Sequence, residues 1–387
     1  MLKFPAGPLW ALVTGFAALG GVGSVLMTRQ PEFYQRWSLD NAEWGWALFA
    51  TGLGGVLAYP LNRWLLARWG GRGMLHRFGT AGGIVLAAIP WLPGVPGLYA
   101  GLFAQGVIYN GVGVAINQQA SQWELQRGTR MMGRLHATFF LGSVLSAFIS
   151  SLLAALDVGL PLHMAAVGLV AALIHRAAAA TLEAEAARST TPVAMHHAPE
   201  SWLGLGLLFC WCTVLESGVM GWASVYLNQS LQASESLSGI GLALFFGAMA
   251  VGRLFSDGLV TRHGALRIVR TGAIACAISL ALAAWQQQLP VALLAFAVTG
   301  LGLAAAAPVI FSVAGRMGGE ALALIAGLGA LGGLLGPVIL GCIASYVSLD
   351  WVLATLAAVA VAIARQAATL DAGGEDRLRG RSAVSLP

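Results

Sequence analysis

The sequence predicts an all-α membrane protein with twelve transmembrane helices in two pseudo-symmetric six-helix bundles. Three observations predict it. Apolar residues make up 58% of the 387 and charged residues only 10%, where a soluble fold keeps roughly a quarter of its residues charged. The apolar residues fall in continuous runs long enough for the about 20 residues that a bilayer core asks of each crossing helix, unlike the ten-residue alternating strands of a membrane barrel. The chain also matches itself at a spacing of 194 residues: Arg68-Trp69-Gly70 recurs as Arg262-His263-Gly264, Gly106 as Gly300, and Leu141-Gly142 as Leu335-Gly336. A parallel duplication of this kind builds two bundles that flank a central cavity.

Helices of the first half are expected near 8–28, 41–66, 73–92, 96–120, 131–156 and 159–178. The first lacks an early cationic stretch and a small-residue cleavage site, so it is expected to stay as an anchor. Arg29 ends it, followed by Glu32, Arg36, Asp40 and Glu43. An outer gate, an attractor of anionic solutes and a plain surface charge cluster all fit that pattern. Trp37, Trp44 and Trp46 fit an interfacial aromatic belt. Clustered glycines such as Gly52, Gly54 and Gly55 let helix backbones approach closely in lipid. The fourth helix carries Gly106, Asn110, Gly113 and Asn117 at helical spacing, with Gln105 beside them. Amides in lipid need partners, so this stripe faces protein or a wet cavity. The fifth carries His136, Phe140, Ser143, Ala147 and Ser150 on one face. His136 is a candidate for coupling or cavity lining, or a structural histidine.

The polar stretch from Thr181 to Glu200 reads as a linker between residues 1–180 and 201–367, with 368–387 as a tail carrying Arg377, Arg379 and Arg381. Its adjacent His196 and His197 are better read as linker histidines than as a metal site. Second-half helices are expected near 201–227, 236–261, 266–285, 289–313, 320–346 and 350–367. Glu216 lies in the middle of the first of these, between Cys210-Trp211-Cys212 and Met220-Gly221-Trp222. A charge at that depth costs about 2.5–3.5 kcal/mol on insertion scales. Glu216 is therefore a candidate proton-coupling or substrate-binding carboxylate, or a packing residue bonded to a neighbouring helix. Trp222 and Tyr226, one turn apart, are candidates to line the cavity. Arg253 and Asp257 stand four apart on the next helix and can pair along one face.

Of the 21 Lys and Arg, only Arg29 and Arg36 fall on the far side if the chain starts in the cytoplasm. The positive-inside rule then puts both termini in the cytoplasm. The basic balance follows from this asymmetry and implies no nucleic acid. The four cysteines all fall inside helices, and no disulfide or metal site is expected. No phosphate-binding lysine loop, dinucleotide fingerprint, HExxH or nucleophilic triad occurs, so neither an enzyme nor a cofactor is expected.

Several stretches carry a resemblance to a known family. These are Arg29-Gln30-Pro31; Pro60-Leu61-Asn62-Arg63 through Arg68-Trp69-Gly70-Gly71-Arg72; and Gly252-Arg253-Leu254 through Asp257 to Arg262-His263-Gly264. Gly300-Leu301-Gly302 through Pro308, Phe311, Ser312, Gly315 and Arg316, and Gly332-Gly333-Leu334-Leu335-Gly336-Pro337, belong with them. Together they resemble the major facilitator superfamily, in a bacterial inner-membrane branch distantly similar to the fucose permeases. That resemblance implies the major facilitator fold, a monomer in the lipid bilayer, and proton-coupled uptake of a small polar, sugar-like solute. An exporter of amphipathic compounds and a non-transporting sensor remain as alternatives. It also implies a charge clamp of Arg68, Arg72, Arg253, Asp257 and Arg262 that holds the bundles in the outward-open state. Gly113 and Gly221 depart from the branch, which often carries acids there. Any role those acids play in relatives is then lost or relocated.

Overall fold

The computed structural model describes residues 7–128, 131–182 and 200–370. Residues 183–199, with His196 and His197, and 371–387, with Arg377, Arg379 and Arg381, lie outside the described residues. The first half runs α1 (Pro8–Thr28), the short α2 (Gln30–Trp37), α3 (Asn41–Leu57), α4 (Tyr59–Ala88), α5 (Gly94–Arg127), α6 (Met132–Ala155) and α7 (Leu160–Thr181). The second runs α8 (Glu200–Gln229), α9 (Glu235–His263), α10 (Ala265–Gln286), α11 (Leu289–Leu303), α12 (Ala306–Met317), α13 (Gly319–Tyr346) and α14 (Leu349–Gln366). Among the described residues, ten rods are each long and apolar enough to cross a membrane, α11 and α12 counting as one. The two remaining crossings are α3 continued into α4, and α4 beyond Gly70.

Proline sets two breaks that hydropathy alone misses. The expected helix 41–66 divides at Ala58, because Pro60 offers no N–H to the preceding turn. The expected helix 289–313 divides at Ala304 and Ala305; Ala304 is the residue whose carbonyl Pro308 would otherwise meet. The expected helix 73–92 starts earlier, inside α4, and ends in a 3-10 turn at Ile89–Trp91. In the loop after α1, between the helices expected at 8–28 and 41–66, the chain forms the additional helix α2. Pro31 in its first turn, Glu32 behind it and Arg36 in its last turn suit those ends. Asp40 and Glu43, expected in a charge cluster, form a capping box at the start of α3.

The duplication is visible in the backbone. Gly70 kinks α4 at φ 68 and Gly264 separates α9 from α10 at φ 83, a region open to glycine without steric cost. Gly106 packs so close to the Thr51 carbonyl that a Cβ would collide, and Gly300 meets the Phe245 carbonyl in the same way. Both members of each pair differ by 194 residues.

In the first half, α1 packs on α6, α4 on α7, and α5 on α3 and α4. In the second, α8 packs on α13, α9 on α11, and α10 on α11 and α14. Across the halves the main contacts are α6 on α9 and α3 on α13, with α2 resting on α8. Leu152, Leu169, Ile278 and Leu294 are among many large apolar side chains left exposed around the outside, as a lipid-facing surface requires. An even number of crossings leaves Gly7 and Leu370 on one face, called the terminal face below. The α2 helix lies on the opposite face.

Candidate functional site

A cavity of about 990 Å³ lies between the halves. Its walls include Phe16, Asn117, His136, Phe140, Arg253 and Phe311. Glu124, Arg134 and Asp257 line it toward the terminal-face ends of α5, α6 and α9, so it opens on that face. Glu124 accepts from the Met132 amide at 2.7 Å and from the Met131 amide, tying the end of α5 to the start of α6.

The opposite face is shut. Gln30 Nε2 donates to the Met220 carbonyl at 3.0 Å, Trp44 Nε1 to the Gly221 carbonyl at 3.0 Å, and Gln35 Nε2 to Glu235 Oε1 at 2.9 Å. Asn41 Nδ2 reaches the Ala344 carbonyl at 3.4 Å. Small residues bring the seams together. A Cβ on Gly45 would lie 3.2 Å from Gly341 Cα, and one on Gly239 would strike Ser151 and Thr28. Trp44, expected in the aromatic belt, is instead buried in this seam at 1% exposure. Its indole N–H donates to a carbonyl of the facing helix, a use that the spacing of tryptophans along a sequence does not reveal. A carboxylate in place of Gly221 would press on Leu48, which a Cβ there approaches to 2.7 Å. Gly113 has open space before it, with Leu19 Cδ2 at 3.9 Å.

Arg29 is buried in the same closed face. Its guanidinium meets His163 Nδ1 at 3.0 Å, the Val158 carbonyl at 2.7 Å and Glu32 Oε2 at 2.6 Å, and pairs with Glu32 through Nε as well. A buried arginine needs this degree of pairing. His163 was not singled out from the sequence, since a histidine early in a helix has no distinguishing neighbour in the chain. Glu32 lies on α2, outside the crossing helices. Burial pushes its carboxyl up to about 7; Arg29 opposes this, and Glu235 across the seam adds to it.

Arg253 organises the cavity. Its guanidinium carbon sits 4.5 Å from the Phe140 ring centroid, a cation–π contact between the halves. Its Nε is buried without a hydrogen-bond partner. Glu216 and His136 both lie within its electrostatic reach, and His136 also stands edge-on to Phe16 at 5.3 Å. Glu216 has no hydrogen bond among the described residues, and its side chain keeps part of its surface open. The structure thus brings Glu216 and His136, from opposite halves, around one arginine.

The other sequence-selected residues divide. Asn117 lines the cavity, with its amide N–H bonded to the Gly113 carbonyl of its own helix at 2.8 Å. Asn110 accepts from buried Asn62 at 2.9 Å, joining α5 to α4. Gln105 faces a void of about 20 Å³ beside Tyr109 and His175, room for about one water. Ser143 bonds back to the Phe139 carbonyl at 3.0 Å, while its own carbonyl accepts from Ser24. Trp222 is fully buried, and so is Tyr226, whose hydroxyl reaches the Ala283 carbonyl at 3.3 Å. In the expected clamp, Arg253 turns to Phe140 and leaves Asp257 on the cavity wall. Arg68 lies over Trp64 at 5.5 Å, while Arg72 and Arg262 are exposed. No ion pair joins these five among the described residues.

Comparison with known proteins gives this architecture a family. The description Major Facilitator Superfamily matches residues 205–370. An uncharacterized MFS-type transporter of Yersinia pestis is 30% identical over 343 residues, covering 86% of this chain and 88% of its own length. An uncharacterized transporter of Sinorhizobium fredii is 26% identical over 356 residues, covering 87% and 91%. Among solved structures, the nucleoside transporter NupG superposes with a TM-score of 0.74 at 13% identity, over 94% of this chain and 98% of its own. A bacterial homologue of the human lysosomal transporter Spinster, inward-facing and occupied, gives 0.73 at 15% identity, over 95% and 96%. Membrane-length helices, a cavity between two halves and a relative 30% identical over 86% of this chain lead to one assignment: this membrane transporter belongs to the major facilitator superfamily.

Proposed function

We propose that the protein is a proton-coupled secondary transporter that takes up a small polar solute by alternating access across a bacterial inner membrane. The terminal face is the cytoplasmic one in this reading, as the distribution of Lys and Arg favours. The observation that carries it is the cavity of about 990 Å³, open to one side and sealed on the other, with Arg253 and His136 on its wall and Glu216 within electrostatic reach of Arg253. A carboxylate placed among membrane-crossing helices marks a functional site, and carrying a proton is one of its uses. Glu216 takes that role, His136 assists, and Arg253 is the fixed charge between them. The nucleoside transporter among the structural neighbours supports a small polar organic cargo.

The test uses purified protein in liposomes under an imposed pH gradient, with fluxes of a metabolite panel followed. Wild type accumulates its solute against a gradient. Glu216→Gln loses accumulation by at least tenfold yet keeps solute exchange. Full proton-driven accumulation in that variant would end the coupling role, and ligand binding without any flux would favour the sensor. The aromatic walls Phe16, Phe140 and Phe311 also suit export of amphipathic compounds. Reversed sidedness of the pH-driven flux identifies that case.

A further inference from the structure

Among the described residues, Arg253 at the meeting of the halves forms no ion pair and no side-chain hydrogen bond. Arg253 projects from α9 into the cavity, stacks on Phe140 of the other half at 4.5 Å, and keeps a buried Nε unpaired. A buried guanidinium donor without an acceptor is costly, and one that persists calls for a water, an ion or a functional role. Its anionic neighbour, Glu216, is near enough to attract it but forms no ion pair with it among the described residues. Asp257, one turn along α9, is exposed at the mouth and does not reach back. The sealed Nε leaves the terminal nitrogens as the part of Arg253 on the cavity wall, and they form no hydrogen bond or ion pair among the described residues, so they are free to bind a carboxylate or phosphate group.

The rest of the wall describes the other end of such a ligand. Phe16, Phe140 and Phe311 supply apolar surface, and Asn117 and His136 supply neutral polar groups. A cavity of about 990 Å³ stands at the upper end of the range for drug-sized ligands.

We propose that Arg253 is the anion-recognition residue of the cavity, and that the transported solute is an organic anion whose acidic group binds this guanidinium in competition with Glu216. The inference deepens the transport reading and rests on it for the word transported. Charge balance follows from the competition. Arg253 can neutralise one anion, so when the solute takes it, the Glu216 site must gain a proton from the water of the cavity. The charged and titratable groups that face this centre are His136 on α6, Cys212 on α8 itself, and, at the mouth, Glu124, Arg134 and Asp257.

Binding to purified protein, read by thermal shift and by calorimetry, tests this apart from flux. The probes are matched pairs: aliphatic and aromatic carboxylates and phosphate monoesters, each beside its uncharged amide or alcohol. Anionic members are expected to stabilise the wild type and their neutral partners are not. Arg253→Gln should lose about 10- to 100-fold in affinity, the range for a charge-assisted hydrogen bond. Arg253→Lys should recover part of it. In weakly buffered solution a pH-indicator dye should report about one proton taken up per anion by wild type and none by Glu216→Gln, which should bind anions at least as tightly. An unliganded melting temperature close to wild type in Arg253→Lys guards against simple misfolding. Equal binding of the neutral partners, unchanged affinity in Arg253→Gln, or no binding by any anion of the panel overturns the proposal. Anion binding through Arg253 without flux would leave this assignment standing and remove the transport reading. Pumped fluxes of neutral solutes, indifferent to Arg253, would do the reverse.

Discussion

At the scale of single residues, the closed seam holds a proton-sensitive contact. Glu32 keeps its proton up to about pH 7 while the seam is shut, and regains the ordinary acidic range of about 4.3 once water reaches it. The closed arrangement therefore binds the proton more tightly. Its extra stability is fully present below that acidic range and is lost as pH rises through about 7. Spin labels at Ser38 and Ser236, in a background cleared of the four free cysteines, should show the two sides drawing together between pH 8 and pH 6. Glu32→Gln should abolish that dependence and leave the seam shut throughout. The sequence marked Glu216 through its depth alone, because the length of apolar chain on either side shows how far it stands from both interfaces. It misread the company of Arg253. An i,i+4 spacing makes a pair with Asp257 available, but an aromatic ring on a facing helix competes for the same guanidinium, and facing helices are not written locally. Trp222 and Tyr226 share the same limit: spacing gives their helix face, and only packing reveals that this face meets other helices.

At the scale of elements, ten crossings among the described residues, and their order, were legible from apolar run length. The breaks at Ala58 and Ala304 were written in Pro60 and Pro308, and α2 in Pro31, Glu32 and Arg36, all overlooked when hydropathy alone set the ends. What no local pattern could supply is which glycine faces which helix. Gly239 on α9 is the informative case, because it touches both Ser151 of α6 and Thr28 of α1. Gly239→Leu forces a side chain into that contact, at a cost of about 1–3 kcal/mol from overpacking. We expect the equilibrium to move on the order of 10- to 100-fold toward a state open on the opposite face. Faster maleimide labelling of a cysteine placed at Thr28 measures it; an unchanged rate would mean that the seam yields elsewhere.

At the scale of the whole molecule, the repeat at 194 residues made the two-bundle plan readable, since a left-handed glycine and a glycine crossing recur in each half for the same steric reasons. The state of the molecule was not readable, because one sequence serves every position of the cycle. Here the terminal face is open, Asp257 lines the cavity toward it, and no ion pair joins Asp257 to Arg68, Arg72 or Arg262 among the described residues. If they draw together when that face closes, Asp257→Asn alters the rate of turnover and spares solute preference. Exposed ion pairs contribute up to about 1 kcal/mol each, so a change of up to about fivefold is expected in initial flux. A new solute profile at constant turnover would refute the role.

Gly45 against Gly341 carries a consequence for leakage. Where one main chain lies directly on another, no swinging side chain can let a file of water slip past while the remainder stays put. At that point the barrier yields only when the helices themselves move apart, so little can leak past it while they stay in contact.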